Sequence, residues 1–128
     1  MSYNALDVIE SFRSAWGRGE VDELMSLMTD TPMYKSSTGI GPGSVFVGVD
    51  EVRSAFIRMT GNTKIAVDIL ANRSVQVPLI EGNRAVIFWV LPFSSPDGTA
   101  TGVEGLDVFT FESDGRISCK DAFRKAWI

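Results

Sequence analysis

The stretch GVEGLDVFTFESDGRISCKDAFRKAWI, residues 102–128, decides the fold. Residues 103–111 alternate in a way that is typical of a strand, and Asp114-Gly115 is a pair that favours a tight turn. Residues 116–123 then predict a second strand that returns beside the first. The sequence therefore predicts a β-hairpin at the end of the chain.

The turn fixes which residues of the two strands lie opposite each other. With Asp114 and Gly115 at its centre, the predicted opposite pairs are Asp107 with Ala122, Phe109 with Lys120, and Phe111 with Ser118. Lys120 and Arg124 are then the diagonal neighbours of Asp107, about 7–8 Å away between backbones and within reach of long side chains. The sequence therefore predicts one carboxylate between two cations on the same face of the hairpin.

The opposite face of the hairpin is predicted to carry apolar side chains and the single cysteine. Its residues are Leu106, Val108, Ile117, Cys119 and Phe123. A lone cysteine cannot form a disulfide within the chain, so we expect a buried thiol without a chemical role. Because an apolar outer sheet face favours association, the sequence also predicts a homodimer formed through this surface.

Length and charge limit the classes of function. The chain has 128 residues, enough for a real core, so residues 1–128 are predicted to form a single domain. Its net charge of −4 and its scattered Lys and Arg residues argue against nucleic acid or an anionic membrane as a partner. No charged segment followed by an apolar run opens the sequence, and no run approaches the roughly 20 apolar residues needed to span a bilayer, so we expect neither a secretory leader nor a membrane span. We therefore expect a cytoplasmic protein.

The chain contains no histidine, and this excludes several catalytic systems. Nucleophilic triads that use His, His-ligated zinc and an imidazole proton shuttle are all excluded. The Gly-rich segment 38–44 lacks the Gly-Lys-Ser/Thr ending of a phosphate-binding loop, so we interpret it as a mobile connection. We expect neither a metal nor a cofactor.

The order of the predicted elements indicates the fold class. Apolar residues at helical spacing predict three helices, over residues 5–18, 20–28 and 49–59. Asn4 and Asp50 are the predicted caps of the first and the third helix. Strands are predicted over residues 33–36, 64–71, 74–77, 84–93 and the two arms of the terminal hairpin. Helices followed by antiparallel strands predict an α+β domain in which a curved sheet wraps around the N-terminal helices.

These elements and two short motifs resemble the nuclear transport factor two-like (NTF2-like) superfamily. The motifs are the helix start Gly48-Val49-Asp50-Glu51 and the hairpin pattern Asp-x-Phe-x-Phe followed by Asp-Gly-Arg-Ile, within residues 107–117. Within the superfamily, the chain is similar to the SnoaL-like and ketosteroid isomerase-like group. The resemblance implies a cone-shaped half-barrel, as in cystatin-like folds, with a deep apolar pocket and often a homodimer formed through the outer sheet face.

Compared residue by residue, the chain lacks more of the catalytic residues of the related enzymes than it keeps. Asp107 matches the late-strand acid of steroid isomerases, whereas their tyrosine position falls on Phe12 and their base position falls near Ser36. Related epoxide hydrolases need Arg-x-Asp on the late strand and a second aspartate on the last strand. This chain has Gly105-Leu106-Asp107 and Ala122 there, and it lacks the histidine that related polyketide cyclases commonly use. Steroid isomerisation is therefore not expected.

Two hypotheses remain for the charged cluster of Asp107, Lys120 and Arg124. In the first, the protein is a cofactor-free isomerase, cyclase or lyase. The cations keep Asp107 ionised as an acid or base, and Lys120 or Arg124 stabilises the oxyanion that forms. In the second, the cluster is structural or fixes the polar end of a ligand in a non-catalytic binding module. A second proton-transferring group facing Asp107 across the cavity would discriminate between them.

Large aromatic side chains are the candidate lining of a pocket for a small apolar molecule. The candidates are Phe12, Trp16, Tyr34, Trp89 and Phe109. Large apolar side chains at periodic positions more often form core, so only some of these are expected to contact a ligand. Tyr34 has two interpretations, as a hydroxyl offered to the ligand and as an aromatic residue of an edge strand.

Overall fold

The computed structural model describes residues 3–38, 43–60, 78–94 and 100–125, which form three helices and six strands. The helices are α1 (Ala5–Arg18), α2 (Val21–Ser26) and α3 (Val49–Met59). The strands are β1 (Met28–Lys35), β2 (Val45–Val47), β3 (Leu79–Glu81), β4 (Arg84–Ser94), β5 (Ala100–Phe111) and β6 (Ile117–Arg124). The strands predicted over residues 64–71 and 74–77, and residues 39–42 of the predicted mobile connection, lie outside the described residues.

Helix α1 has the bounds that its apolar periodicity predicts. The side-chain oxygen of Asn4 accepts a hydrogen bond from the backbone N–H of Asp7 at 3.3 Å, which confirms Asn4 as the cap. Gly19 ends the helix in the left-handed conformation, with φ of 71°, which a residue without a Cβ adopts at little cost. The helix buries Ile9, Phe12 and Ala15.

Helix α3 differs from the prediction in its N-cap, and helix α2 differs in its bounds. Helix α3 has the predicted bounds, but Gly48 rather than Asp50 is its N-cap, and Glu51 accepts a hydrogen bond from the backbone N–H of Val47 at 3.1 Å. Helix α2 ends before Met28, although the helical pattern continues through that residue. Met28 instead begins β1, because pairing with β6 outweighs the local preference for helix.

The six strands form one sheet in the order β2-β1-β6-β5-β4-β3. Strands β1 and β6 run parallel, and the other neighbouring pairs are antiparallel. This curved, open sheet with helices from the N-terminal half against one face confirms the predicted α+β class. Strand β2, which follows the predicted connection 38–44 and which sequence analysis did not predict as a strand, is the edge strand beside β1.

The register of the terminal hairpin confirms the prediction over its central part. Asp107 lies opposite Ala122, and Phe109 lies opposite Lys120. Nearer the turn the prediction is wrong, because the loop holds three residues, 113–115, between Glu112 and Arg116, whose backbones are hydrogen-bonded at 2.8 Å. An irregularity after Thr110 absorbs the difference, and Phe111 consequently pairs with Ile117 rather than with Ser118.

The irregularity moves Ile117 to the opposite face of the sheet. Ile117 was expected on the outer face, but it is fully buried in the core beside Phe111. An inserted residue has this effect because successive side chains of a strand point to opposite faces. Cys119 was expected beside Ile117 on the outer face, but Ile117 is no longer its neighbour there, and Cys119 is only half-buried. Its partial burial raises the pKa of the thiol.

The hairpin turn supplies a prediction for the pH dependence of stability. Asp114 accepts hydrogen bonds from the backbone N–H of Arg116 at 3.0 Å and from its guanidinium at 2.7 Å, which lower the pKa of the Asp114 carboxyl. A carboxyl with a lower pKa in the folded state stabilises it above the unfolded-state pKa. That contribution is lost as the pH falls through the folded-state pKa. We expect Asp114→Asn to lower the melting temperature at neutral pH, and the difference to vanish in strong acid.

Melting curves of Asp114→Asn and wild type across the acid range measure this effect. Glu112→Gln, an exposed charge change beside the turn, is the control and is expected to leave the pH dependence unchanged. A melting difference for Asp114→Asn that is constant from neutral to acid pH would contradict the prediction.

Candidate active site

The inner face of the sheet carries three successive rows of paired residues. The first row contains Ala85, Phe109, Lys120 and Tyr34. The second row contains Ile87, Asp107 and Ala122. The third row contains Trp89, Gly105 and Arg124. Burial decreases from the first row to the third, since Phe109 is fully buried and Arg124 is exposed.

Helix α1 covers the deep end of these rows with aromatic side chains. Phe12 packs edge-on against Phe109 at 5.2 Å between ring centres and against Phe56 at 6.0 Å. Trp16, one helical turn later, packs on Phe56 at 5.4 Å. Beyond these contacts the helix and the sheet separate and leave a cavity of about 350 Å³, which the second and third rows face. That volume lies at the lower end of the range for small-molecule sites.

Asp107 and Lys120 form a buried ion pair at the inner end of the cavity. Lys120 Nζ lies 3.4 Å from Asp107 Oδ1, and the two side chains are 6% and 9% exposed respectively. Both residues line the cavity. The ammonium of Lys120 thus lies beside the carboxylate of Asp107, within the register that the hairpin predicts.

The ammonium of Lys120 is also held by two aromatic rings. Nζ lies 4.5 Å from the ring centre of Trp16 and 4.6 Å from that of Tyr34, and these two rings lie edge-on to each other. An ammonium group has three N–H donors, so one carboxylate and two ring faces occupy its bonding capacity. Lys120 is therefore fixed by residues of α1, β1 and β5 together.

The second carboxylate oxygen of Asp107 has no such partner. Lys120 approaches Oδ1, and no donor of the described residues forms a hydrogen bond with Oδ2. Oδ2 is also not sealed within the interior, since among the described residues only Thr29 Oγ1 is both buried and unpartnered. One oxygen of Asp107 is thus held in position, and the other is open to a molecule in the cavity.

Hydroxyl groups line the cavity on the side of β1. The hydroxyl of Tyr34 donates to Met59 Sδ at 3.1 Å, and Ser36 Oγ lies 2.9 Å from Thr38 Oγ1. A thioether is a weak acceptor, so the Tyr34 hydroxyl can exchange this hydrogen bond for one to a ligand oxygen at little cost in free energy. Strand β1 lies between β2 and β6, so Tyr34 does not belong to an edge strand.

Two arginines line the cavity without touching Asp107. Arg124 has the predicted diagonal position, but no ion pair joins it to Asp107, because its side chain is exposed. Arg13 lies on α1, one residue after Phe12, and lines the cavity from the other side. Sequence analysis missed Arg13, although it stands three residues before Trp16 on the same side of the helix.

The predicted aromatic lining is placed as follows. Phe12, Trp16, Tyr34 and Trp89 line the cavity. Phe109 does not: it is fully buried beneath Phe12 in the first row, so its interpretation as a ligand-contacting residue is corrected to core. Met59 and Ile87 complete the apolar wall, and sequence analysis did not single them out for it.

The third row depends on a glycine. A Cβ at position 105 would collide with the indole of Trp89 and lie 2.5 Å from the carbonyl oxygen of Phe123. Because the backbone cannot easily move, we expect Gly105→Ala to displace Trp89 and to lower the free energy of unfolding by about 1–3 kcal/mol. Urea unfolding and tryptophan fluorescence measure the two effects. Thr110→Ala, on the other face of β5, is the control, and an equal loss in both variants would contradict the prediction.

Neither a metal site nor a membrane-spanning element is found in the part of the chain that the structure describes. Within it, no group of three or more His, Cys, Asp or Glu side chains is arranged to hold a metal ion. None of its helices is long and apolar enough to cross a bilayer.

Comparison with known proteins places this architecture in a family. The model of the SnoaL-like domain matches residues 8–119. The chain belongs to the SnoaL-like family. Its NTF2-like resemblance is thereby confirmed, and no curated protein sequence matches this SnoaL-like chain.

Solved structures support the same fold at low sequence identity. A Xanthomonas campestris protein of unknown function with a cystatin-like fold is 17% identical, with a TM-score of 0.71, over 97% of the SnoaL-like chain and 92% of that protein. TerC, co-crystallised with polyporic acid, is 15% identical, with a TM-score of 0.65, over 94% and 91%. SalBIII, an epoxide hydrolase/cyclase-like enzyme of pyran ring formation in salinomycin, is 19% identical, with a TM-score of 0.61, over 94% and 90%. At these identities the likeness shows the fold alone.

Proposed function

We propose that this protein is a cofactor-free enzyme in which Asp107 removes a proton from a small, largely apolar molecule. The observation that carries the proposal is that the two carboxylate oxygens of Asp107 have different surroundings. Lys120 holds Oδ1 at 3.4 Å in a buried pair, and Oδ2 has no donor among the described residues. A base with a fixed position and one open oxygen meets the geometric requirement for general base catalysis.

The proposed reaction is an isomerisation, a cyclisation or an elimination. Oδ2 takes a proton from a carbon next to a carbonyl group, and the electron pair of the broken C–H bond moves into an enolate. The Tyr34 hydroxyl, whose partner among the described residues is Met59 Sδ, is the proposed donor to the enolate oxygen. In an isomerisation, Asp107 then returns the proton to another carbon of the same molecule. In a cyclisation, the enolate carbon attacks a second carbonyl carbon, and the oxygen of that carbonyl takes the electron pair of its C=O π bond and the proton from Asp107. In an elimination, the C–O bond to the leaving group breaks, and the departing oxygen takes that proton.

A non-catalytic binding module is the second candidate. The buried contacts of Lys120 with Asp107, Trp16 and Tyr34 favour it, because the same contacts would stabilise the sheet without any reaction. The enzyme is preferred because Tyr34 is a second group that can share a proton on the cavity wall, whereas a binding module needs no open carboxylate oxygen.

Hydrogen exchange tests the proposal against its alternative. Small cyclic ketones and β-keto esters that bind the protein in a thermal-shift screen are incubated with it in D2O, and deuterium uptake is followed by NMR. We expect uptake at the carbon next to the carbonyl with the wild type. Uptake should stop in Ala122→Phe, whose side chain enters the cavity opposite Asp107. Binding without any protein-dependent exchange would contradict the enzyme and support the binding module.

We also propose that the outer sheet face joins two copies of the chain. Phe123 is 50% exposed, Phe88 38% and Leu79 61%, and Leu106 and Val108 lie beside them half-buried. Such a continuous apolar surface is more than scattered single side chains and favours an interface. We expect a dimer at micromolar concentration and a monomer for Phe123→Lys, measured by ultracentrifugation. Ile57→Lys on α3 is the control, and a monomeric wild type would contradict the proposal.

A further inference from the structure

Among the described residues, the cavity wall carries more positive than negative charge, in contrast to the whole protein. The chain has a net charge of −4, yet the described lining bears three cations, Arg13, Lys120 and Arg124, against one carboxylate, that of Asp107. Lys120 and Asp107 neutralise each other at 3.4 Å. The positive charge that remains belongs to the two arginines.

The two arginines have little compensation from the protein itself. Arg13 lies 3.6 Å from Glu10, whose side chain is 66% exposed, and a surface pair of this kind contributes little. No carboxylate of the described residues forms an ion pair with Arg124. Glu104, next to Gly105 on β5, lies on the opposite face of the sheet and pairs with Lys125 at 3.2 Å. Guanidinium groups placed in this way can bind an anion in two parallel hydrogen bonds.

The depth of the charges along the sheet gives the ligand a direction. Asp107 belongs to the second row and Arg124 to the third, so their strand positions are two residues apart, about 7 Å along the sheet. Asp107 is buried at the inner end, whereas Arg124 is exposed and the Arg13 side chain is 25% exposed. The same two rows also supply apolar wall, since Ile87 lies in the row of Asp107 and Trp89 in the row of Arg124.

We propose that the ligand is an anionic molecule with an apolar ring system, held by Arg13 and Arg124 at the cavity mouth with its uncharged end at Asp107. This inference rests on the proposed function, because it names the class of substrate for the same cavity. The anion is a carboxylate or a similar group, separated from the reacting carbon by about the distance between the two rows. The net negative charge of the protein disfavours anions elsewhere, so the arginines also select where the ligand binds.

A matched pair of probes tests the inference by binding alone. 1-Naphthaleneacetate and its uncharged counterpart 1-naphthaleneacetamide have nearly the same shape, and calorimetry gives the dissociation constant of each. We expect the acid to bind at least about tenfold more tightly, because hydrogen bonds between two charged groups are stronger than those to a neutral amide. Added salt should weaken binding of the acid and leave the amide unchanged.

Charge-matched variants separate the site from the overall charge. Arg124→Gln and Arg13→Gln are each expected to weaken binding of the acid about tenfold and to leave the amide unchanged. Arg18→Gln removes the same charge from α1, where Arg18 pairs with Glu23 at 2.9 Å outside the cavity, and is expected to change neither probe. Equal affinities of the wild type for acid and amide would overturn the inference. So would equal losses in all three variants, or no binding of either probe at millimolar concentration.

The outcome is independent of turnover. A preference for the acid that Arg124→Gln removes, together with no deuterium exchange in any ligand, would support the anion site and contradict catalysis by Asp107. Exchange in an uncharged ketone, with no preference for the acid probe, would support catalysis and overturn the anion site.

Discussion

Lys120→Met is expected to lower the free energy of unfolding by about 3–5 kcal/mol, because it leaves Asp107 as a buried charge without a partner. The ion pair is buried, with side-chain exposures of 6% for Lys120 and 9% for Asp107, so water replaces little of the lost interaction. The variant also loses the contacts of Nζ with the rings of Trp16 and Tyr34, at 4.5 and 4.6 Å. Urea unfolding measured at neutral pH gives the difference directly.

Two further variants identify the cause of this loss. Lys125→Met breaks an ion pair with Glu104 at 3.2 Å whose partners are both exposed, so we expect a loss of at most about 1 kcal/mol. Adding Asp107→Leu to Lys120→Met removes the uncompensated charge and is expected to restore most of the stability. A double variant as unstable as the single one would show that packing of the lysine, rather than its charge, stabilises the sheet.

Local periodicity predicted the elements that do not depend on distant partners. The bounds of α1 and α3 agree with the apolar spacing of their sequences, and the pairing of Asp107 with Ala122 follows from the hairpin. Met28 was wrongly predicted as helix. It pairs in parallel with Ile117, which is far away in the chain, and such a pairing leaves no signal in the local sequence. The irregularity that buries Ile117 has no sequence signal of the kind that Asp114-Gly115 gives for the turn.

The candidate site was predictable only where two residues share the hairpin. Asp107 and Lys120 come together through its register, which the turn indicates. The aromatic rings around Lys120 come from α1 and from β1, and no pattern within one segment could bring Trp16 and Tyr34 to the same ammonium. Arg13 resembles an ordinary solvent-facing residue of an amphipathic helix, and only the tertiary structure shows that it lines the cavity.

Asp107→Asn is expected to lower the rate of proton exchange by about 10²–10⁴-fold, the usual contribution of a general base. Its effect on stability should be smaller than that of Lys120→Met, because the two members of the pair differ in their other contacts. Lys120 keeps both aromatic rings in this variant, and the amide oxygen of Asn can still accept its hydrogen bond. We expect a loss of about 1–2 kcal/mol, below the cost of an unpartnered buried charge.

Melting temperatures and exchange rates of Asp107→Asn, measured on the same preparations with a ligand from the thermal-shift screen, separate the two roles of the cluster. An enzyme shows a small melting shift and a large loss of exchange. The reverse result, a melting loss as large as that of Lys120→Met with unchanged ligand binding, would mean that the cluster is structural. In that case the ion pair of Asp107 with Lys120 serves to join β5 to β6, and the assignment of Asp107 as the catalytic base is wrong.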